Sequence, residues 1–151
     1  MKNFKIFYLL NVLIFMTFCS NQLFSQTKAF VEITAKTKQS YLDRGYTLVD
    51  FKSDSIIDTK PLVSSDIVLN YKTYYIVHVQ VDACAYCEYN LYFVDTENVM
   101  TELEPEIVVE NNLKQAIYRF DNEENSKGKY VVLLNSKLPY YANIFVFKKK
   151  F

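Results

Sequence analysis

Apolar and polar residues alternate with a period of two along much of the chain. The clearest case is the run 74–82, in which one face of an extended strand carries only aromatic and branched side chains: Tyr75, Val77, Val79 and Val81. The opposite face is mixed, with Tyr74, Ile76, His78, Gln80 and Asp82. Side chains alternate between the two faces of a strand, so this pattern predicts one well-buried face and one partly covered face.

The same alternation, interrupted by turn-forming residues, predicts nine strands. They cover 28–35, 46–52, 66–71, 74–82, 88–95, 106–110, 115–121, 129–135 and 142–149. Gly45 follows the run 38–44, which predicts a short helical turn capped by that glycine. No segment is long enough for the helical crossovers that parallel strands need. The sequence therefore predicts an all-β fold, an antiparallel β-sandwich of jelly-roll type with eight to nine strands.

The first 25 residues have the order of a bacterial signal peptide. Two lysines precede the apolar run Ile6–Phe18, and a polar stretch follows it. That run has 13 residues, fewer than the roughly 20 of a membrane-spanning helix. We expect cleavage near Ser25, which leaves residues 26–151 as one secreted or periplasmic domain, and the "FSQ" ending resembles signals of Bacteroidota. The alternative is an outer-membrane lipoprotein acylated at Cys19, although Phe18 stands where a lipobox has a small residue.

Charge and glycine content exclude several classes of function. The chain has 17 basic and 17 acidic residues, and loss of Lys2 and Lys5 with the signal leaves 15 basic residues and a net charge of about −2. This balance does not predict nucleic-acid binding, and the basic end "FKKKF" reads as a solvated strand edge. With only two glycines, the chain has no glycine-rich phosphate loop and no nucleophile elbow.

The motif "CAYC" (84–87) poses the main chemical question. Pairing Val81 with Tyr89 in a hairpin joins the apolar faces of the strands 74–82 and 88–95 and leaves both cysteines in the connecting loop. In an exported protein this placement predicts a local Cys84–Cys87 disulfide that fixes the shape of the loop. One alternative is a thiol–disulfide site, which normally lies at a helix N-terminus. The other is a metal site, for which the hairpin brings only His78, Asp82 and Glu88 close.

Other candidate residues have simpler interpretations. The only histidine, His78, is expected on a solvated strand surface beside Tyr92. Asp82 and Glu88 would oppose each other at the mouth of the hairpin, which predicts either a bulge in the register or a cation site. The acidic run 121–128 is expected to be a solvated turn. A possible binding surface for a glycan or a peptide comprises Tyr71, Tyr74, His78 and Tyr92.

Three runs together resemble the bacterial pre-peptidase C-terminal domain: "SDIVLNYKTYYIVHVQVD", "CEYNLYFVDTENV" and "QAIYRFDNEENSKGKYVVLLN". They cover roughly residues 65–135. The chain departs from that family at Lys72, where a glycine is usual. The resemblance implies a secreted jelly-roll-like sandwich with an accessory or binding role and identifies no catalytic residue.

These observations predict an exported, non-enzymatic binding or structural module of the bacterial periplasm or cell surface. Its partner is an unknown protein or glycan, and no cofactor, metal ion, nucleic acid or membrane span of the mature chain is expected. The alternative function is a thiol–disulfide or metal-binding protein that uses Cys84 and Cys87.

Overall fold

The computed structural model describes residues 28–150, which form one helix and ten strands. The predicted signal peptide, its cleavage site and Cys19 lie outside this range. The elements are α1 (Lys28–Asp43), β1 (Thr47–Ile56), β2 (Leu62–Val63), β3 (Ile67–Leu69), β4 (Thr73–Val81), β5 (Tyr89–Asp95), β6 (Met100–Leu103), β7 (Glu106–Glu110), β8 (Leu113–Asn122), β9 (Ser126–Leu134) and β10 (Tyr140–Lys150).

The strands form two antiparallel sheets. The first sheet has the order β1-β10-β4-β8-β7, and the second has the order β2-β9-β5-β6, with β3 also paired to β9. Four pairings, β1 with β10, β2 and β3 with β9, β4 with β8, and β5 with β6, are those of one long hairpin wound into two layers. This is jelly-roll topology, and the predicted all-β sandwich is confirmed.

The core between the sheets is built from the predicted apolar face of β4. Its side chains Tyr75, Val77, Val79 and Val81 are fully buried, together with residues from β5, β9 and β10. Tyr130 and Val132 enter the core from the second sheet, and its aromatic and branched side chains fill the space between the layers. Period-two alternation therefore identified the interior of the sandwich correctly.

The strand predicted at 28–35 is wrong, because this segment lies within α1. The β-branched residues Val31, Ile33 and Thr34 favoured a strand, yet the side chains directed at the first sheet follow helical spacing: Phe30, Thr34, Thr37 and Tyr41. Two of these four are polar, so a search for apolar periodicity does not find the stripe.

The predicted glycine cap at the end of α1 is confirmed. Gly45 has a φ of +81°, and its N–H donates to the Leu42 carbonyl at 2.9 Å. The next N–H, from Tyr46, donates to the Tyr41 carbonyl at 3.0 Å. This pair of bonds is a Schellman motif, which satisfies carbonyls that the helix end leaves unpaired.

The predicted hairpin between β4 and β5 is wrong. β4 pairs with β10 and β8, whereas β5 lies in the other sheet and pairs with β9 and β6. The segment 82–88 is therefore a connection between the sheets, and the expected opposition of Asp82 to Glu88 and of His78 to Tyr92 does not occur. Alternation predicts which face a residue occupies, but several strands of this chain offer a matching apolar face.

Three further details differ from the sequence predictions. β2 and β6 were missed, because two and four residues are too few to show a period. Of the lysines at the end of β10, Lys148 is not on a sheet edge, because it pairs with both β1 and β4, whereas the exposed Lys149 and Lys150 extend beyond the end of β1. The outer face of β4 is not partly covered but largely buried, because α1 packs over it.

Candidate functional site

The motif 84–87 lies in the connection that crosses from the first sheet to the second. The side chains of Cys84 and Cys87 are at disulfide-bonding distance, and their Cα atoms are 5.2 Å apart. Cys84 is 1% exposed and belongs to the core cluster, whereas Cys87 is half-buried. The sequence prediction of a pair formed by these two cysteines agrees with this geometry.

Hydrogen bonds hold this connection to three neighbouring segments. The Cys84 N–H donates to the carbonyl of Asn112 at 2.8 Å, and the Lys114 ammonium donates to the carbonyl of Cys87 at 2.7 Å. The carbonyl of Glu88 accepts from the N–H of Asn135 at 2.9 Å. The backbone of the cysteine motif is therefore fixed at both ends, in addition to the sulfur contact.

Four connections meet at this end of the sandwich, at 57–61, 82–88, 111–112 and 135–139. We call this surface the loop platform. The first connection is held to the last by a bond from the Asp58 N–H to the Ser136 carbonyl at 2.9 Å. Loops held on a sheet scaffold in this way are a common place for binding residues.

Lys114 and Tyr89 lie at the ends of β8 and β5 next to the loop platform and contact each other. The ammonium lies 5.4 Å from the centre of the Tyr89 ring, within range of a cation–π contact. The Tyr89 hydroxyl donates to the Lys114 carbonyl at 3.4 Å. Burial raises the pKa of Tyr89 well above its ordinary value, so the ring stays neutral and keeps its proton to donate.

Tyr86 is the most exposed large side chain among the described apolar and aromatic residues, with 97% of its surface accessible. It lies between the two cysteines, on a backbone that is held in place. Leu138, on the connection 135–139, is 65% exposed at the same end of the molecule. Sequence reasoning did not select either residue as a binding residue, although the position of Tyr86 between two cysteines was a usable signal.

The four residues predicted to form a binding surface are not on one surface. Tyr74 and His78 lie on the outer face of the first sheet, under or beside α1. Tyr92 lies on the outer face of the second sheet, where it is half-buried and pairs with Val131 and Glu102. Tyr71 is 53% exposed in the turn before β4, at the end opposite the platform. A ligand role for any of the three tyrosines stays a prediction.

The expectation that His78 is solvated is wrong. It is 4% exposed, its Nε2 atom lies 2.9 Å from Oε1 of Gln115, and the ring of Tyr41 packs edge-on at 5.8 Å. Burial lowers the pKa of His78 to about 4, with Arg119 and Arg44 adding to the effect, while the bond to Gln115 opposes it. The imidazole is therefore neutral near pH 7.

A buried polar network joins α1 to the first sheet around His78. The amide of Gln80 donates to the Thr37 hydroxyl at 2.9 Å, and the amide of Asn143 donates to the Thr34 hydroxyl at 2.6 Å. Nδ1 of His78 and the side-chain carbonyls of Gln80 and Asn143 have no partner in the described structure. These contacts position the helix, and they account for the polar residues on the outer face of β4.

The end opposite the platform has a small polar cleft of about 230 Å³. Three of its charged groups already have partners: Asp66 pairs with Lys127 at 3.5 Å, and Asp95 accepts the N–H groups of Glu97 and Val99. Across residues 28–150, no three His, Cys, Asp or Glu side chains cluster as a metal site would require.

The function of this protein has to be inferred from the geometry of its structure. No protein-family model matches the sequence, and no curated protein shows significant similarity to it. Within the described range, α1 lacks the length and apolar character that crossing a bilayer requires.

Proposed function

We propose that this protein is an exported, non-enzymatic binding module that attaches to a protein or glycan of the cell envelope through its loop platform. The observation that carries this proposal is the position of Tyr86, almost fully exposed on a backbone held by a cysteine pair and by hydrogen bonds. Tyrosine offers a large contact area with few rotatable bonds and a hydroxyl that bonds to polar partners. Fixing its backbone in advance lowers the entropy that binding costs.

Export is supported by the leader pattern of residues 1–25 and by the cysteine pair, because exported compartments favour disulfides. The absence of an enzymatic role is supported by the position of His78, which is enclosed and neutral and so is poorly placed as a general base. The similarity to pre-peptidase C-terminal domains supports an accessory role. Lys72 has a φ of +52°, a conformation that glycine favours, at the position where that family has glycine.

Site-specific crosslinking tests the binding role. The photoreactive amino acid p-benzoylphenylalanine is introduced at position 86, or at position 71 as the matched control, because Tyr71 is an exposed tyrosine at the opposite end. Irradiation of cells that produce the protein is expected to give a discrete adduct from position 86 only. Adducts from position 71 alone, or from neither position, contradict the proposal.

The crosslinked species, once identified by mass spectrometry, permits a quantitative test. Tyr86→Ala is expected to weaken binding to it by about tenfold or more, as for a tyrosine at the centre of an interface. Tyr71→Ala is expected to change the affinity by less than about twofold. Equal effects of the two substitutions would place the contact away from the platform.

Thiol–disulfide exchange or metal binding by Cys84 and Cys87 is the alternative function. The buried position of Cys84 gives it less support, because a reactive cysteine needs access, and the strand β5 follows the motif in place of a helix whose N-terminus would lower the pKa of the thiol. Thiol titration with and without reductant separates the two functions. Free thiols in the purified protein, one of them ionising well below the usual value of about 8.5, would favour redox chemistry.

The route of export has its own measurement. Mass spectrometry of the mature N-terminus distinguishes cleavage near Ser25 from acylation at Cys19. Either result is compatible with the loop platform, but acylation would fix the protein to the outer membrane and restrict its partners to that surface.

A further inference from the structure

β7 forms one edge of the first sheet. It pairs with β8 on one side only, and no other strand of the described residues pairs with it. The strand reads Glu-Ile-Val-Val-Glu, and both Ile107 and Val109 are about half exposed, at 47% and 51%. An exposed apolar edge of this kind is a template on which a further strand can form.

The turn that follows β7 determines which of its N–H and C=O groups bond to β8 and which point away from it. Asn111 and Asn112 have φ values of +50° and +65°, as in a type I′ turn that joins a two-residue hairpin. The pair next to such a turn, Glu110 with Leu113, is hydrogen-bonded, and bonded pairs alternate along the ladder. The N–H and C=O groups of Ile107 and Val109 are therefore directed away from β8.

The other edges of the sandwich carry features that discourage strand addition. β1 has a bulge between Leu48 and Asp50 and carries charged side chains along its length. In the second sheet, β2 has two residues, β3 has three and β6 has four. Bulges, charges and short length are the usual protections of sheet edges, and the centre of β7 has none of them.

The charge around β7 determines which segment fits there. From Asp95 to Glu110 the chain has six acidic residues and no lysine or arginine. The five glutamates of this segment are all exposed. One of them, Glu106, pairs with Arg119 at 2.6 Å. Glu102, Glu104 and Glu110 extend along β6, β7 and the residues that join them, and Glu97 lies in the turn before β6. The cations of the paired strand β8, Lys114 and Arg119, are already engaged with the Cys87 carbonyl and with Glu106, so the edge is apolar at its centre and has unpaired negative charge around it.

We propose that β7 binds an extended basic segment of another protein, which adds to the first sheet as a further strand. Backbone hydrogen bonds to Ile107 and Val109 would hold the segment, apolar side chains would cover the exposed faces, and lysine or arginine would lie opposite the glutamates. This surface is separate from Tyr86, so strand addition at β7 goes beyond the proposed function of the platform.

A second copy of this chain fits the edge poorly. Antiparallel pairing of two β7 strands about Val108 places Glu106 of each copy opposite Glu110 of the other, and like charges directly opposite are destabilising. The remaining glutamates of both edges would also come together. A basic occupant removes this repulsion, which is why charge favours a different protein over self-association.

Peptide titration tests strand addition. The fluorescein-labelled probe Lys-Val-Thr-Val-Lys is titrated with the protein, and Glu-Val-Thr-Val-Glu serves as its charge-reversed control. We expect the basic peptide to bind at least about tenfold more tightly, and we expect this difference to shrink as salt screens the charges. In NMR spectra of the protein, the amides of Ile107 and Val109 are expected to shift most.

Two variants locate the contact. Val109→Pro removes an outward N–H without breaking the β7–β8 ladder, so it should weaken peptide binding by about tenfold while the melting temperature stays close to that of the wild type. The double variant Glu104→Lys and Glu110→Lys should have a similar effect through charge alone. The double variant Glu123→Lys and Glu124→Lys, in the connection after β8, is the matched charge control, and Tyr86→Ala tests independence from the platform. Both should leave the peptide affinity within about twofold.

Four results would overturn strand addition at β7. The first two are equal affinity for the two peptides and no binding of the basic peptide. The third is a loss of affinity in the Glu123→Lys and Glu124→Lys control as large as in the Glu104→Lys and Glu110→Lys variant. The fourth is a dimer in light scattering that Val109→Pro disrupts. The last result would identify a second copy as the occupant. A result in which Tyr86→Ala alone removes peptide binding would assign the peptide to the platform and contradict the separation of the two surfaces.

Discussion

His78 is enclosed by the rings of Tyr41 and Phe145, and among residues 28–150 its one hydrogen-bond partner is Gln115. An imidazolium in this position would lose its hydration without gaining a carboxylate partner, so the folded state favours the neutral ring. The positive charges of Arg44 and Arg119 act in the same direction. The histidine therefore couples proton binding to the opening of the interface between α1 and the sheet.

The first prediction concerns the pH dependence of stability. The folded-state pKa of His78 is lowered to about 4 from 6.5, so the unfolded chain binds its proton first and the stability falls as the pH decreases from 6.5 to 4. A pKa shift of this size lowers the free energy of unfolding by about 3 kcal/mol once the pH has fallen to about 4. His78→Gln should remove this part of the dependence, as measured by urea unfolding at pH 7 and pH 4.5.

A direct control for this prediction is available, because the chain has one histidine. Its Hε1 resonance in NMR spectra is unambiguous, and it should titrate near pH 4 in the folded protein and near 6.5 in urea. A folded-state midpoint above 6 would contradict the enclosed position of the ring.

Gly128 is buried where β9 lies between β5 and β3. A Cβ atom at this position would overlap the Val94 carbonyl and the ring of Phe93. The backbone carbonyl belongs to a paired strand and has little freedom to move, so the glycine allows two strands and an aromatic ring to approach closely.

The second prediction is that Gly128→Ala lowers the free energy of unfolding by about 2–3 kcal/mol, through overlap within the sheet. Gly45→Ala, at a positive φ but with only the end of the Lys149 side chain in ordinary contact distance, should cost about 1 kcal/mol. Urea unfolding of both variants measures the difference. A larger loss at Gly45 would show that backbone conformation, and not close packing, is the stronger constraint.

At the scale of elements, α1 closes the outer face of the first sheet with few contacts. Of its 16 residues only Phe30 and Tyr41 are buried. Tyr41 packs on Phe147 with ring centres 4.4 Å apart, and the guanidinium of Arg44 lies 4.5 Å from its ring on the other side. The attachment of the helix therefore depends strongly on its two buried aromatic residues and on the polar bonds of Thr34 and Thr37.

The third prediction follows from this dependence. Tyr41→Ala should lower the free energy of unfolding by about 3 kcal/mol and raise the pKa of His78 above 4, because water then reaches the imidazole. Leu42→Ala, at the adjacent exposed position of the same helix, should cost less than about 1 kcal/mol and leave that pKa unchanged. Loss of stability without a change in the histidine titration would contradict the role of Tyr41 as its cover.

At the scale of the whole molecule, the strands are buried to different degrees. β4 and β10 lie between other strands of the first sheet, with the core on one side and α1 on the other. β7 and β6 lie at the edges, and several of their side chains are exposed. Local stability should follow this distribution, since the strands with the most buried contacts open last.

The fourth prediction is that amide hydrogen exchange is slowest in β4 and β10 and fastest, among the strands of five residues or more, in β7. Slow exchange at Ile107 and Val109 in the isolated protein would show that their outward N–H groups are already protected. That result would also contradict a free edge at β7. In that case, adding the basic peptide should not slow the exchange of the Ile107 and Val109 amides further.

Local features of the fold were predicted from the sequence more successfully than the arrangement of the strands. Period-two alternation identified eight of the ten strands by position and the core face of β4, because burial on one face of a strand leaves a local signature. The hairpin assigned to β4 and β5 failed for the same reason, since a matching face does not specify which strand is the neighbour. The binding surface assigned to Tyr71, Tyr74, His78 and Tyr92 depended on that assignment.

Residues close along the chain were sufficient to predict the class of fold, the core-facing residues of β4 and the pairing of Cys84 with Cys87. Contacts between distant segments were needed to show that α1 covers His78, that Tyr86 extends from a loop held by Asn112 and Asn135, and that β7 has an open side. Those features depend on which distant segments become neighbours. The contacts that favour one arrangement of neighbours are distributed over the whole core, so no single segment of the sequence specifies it.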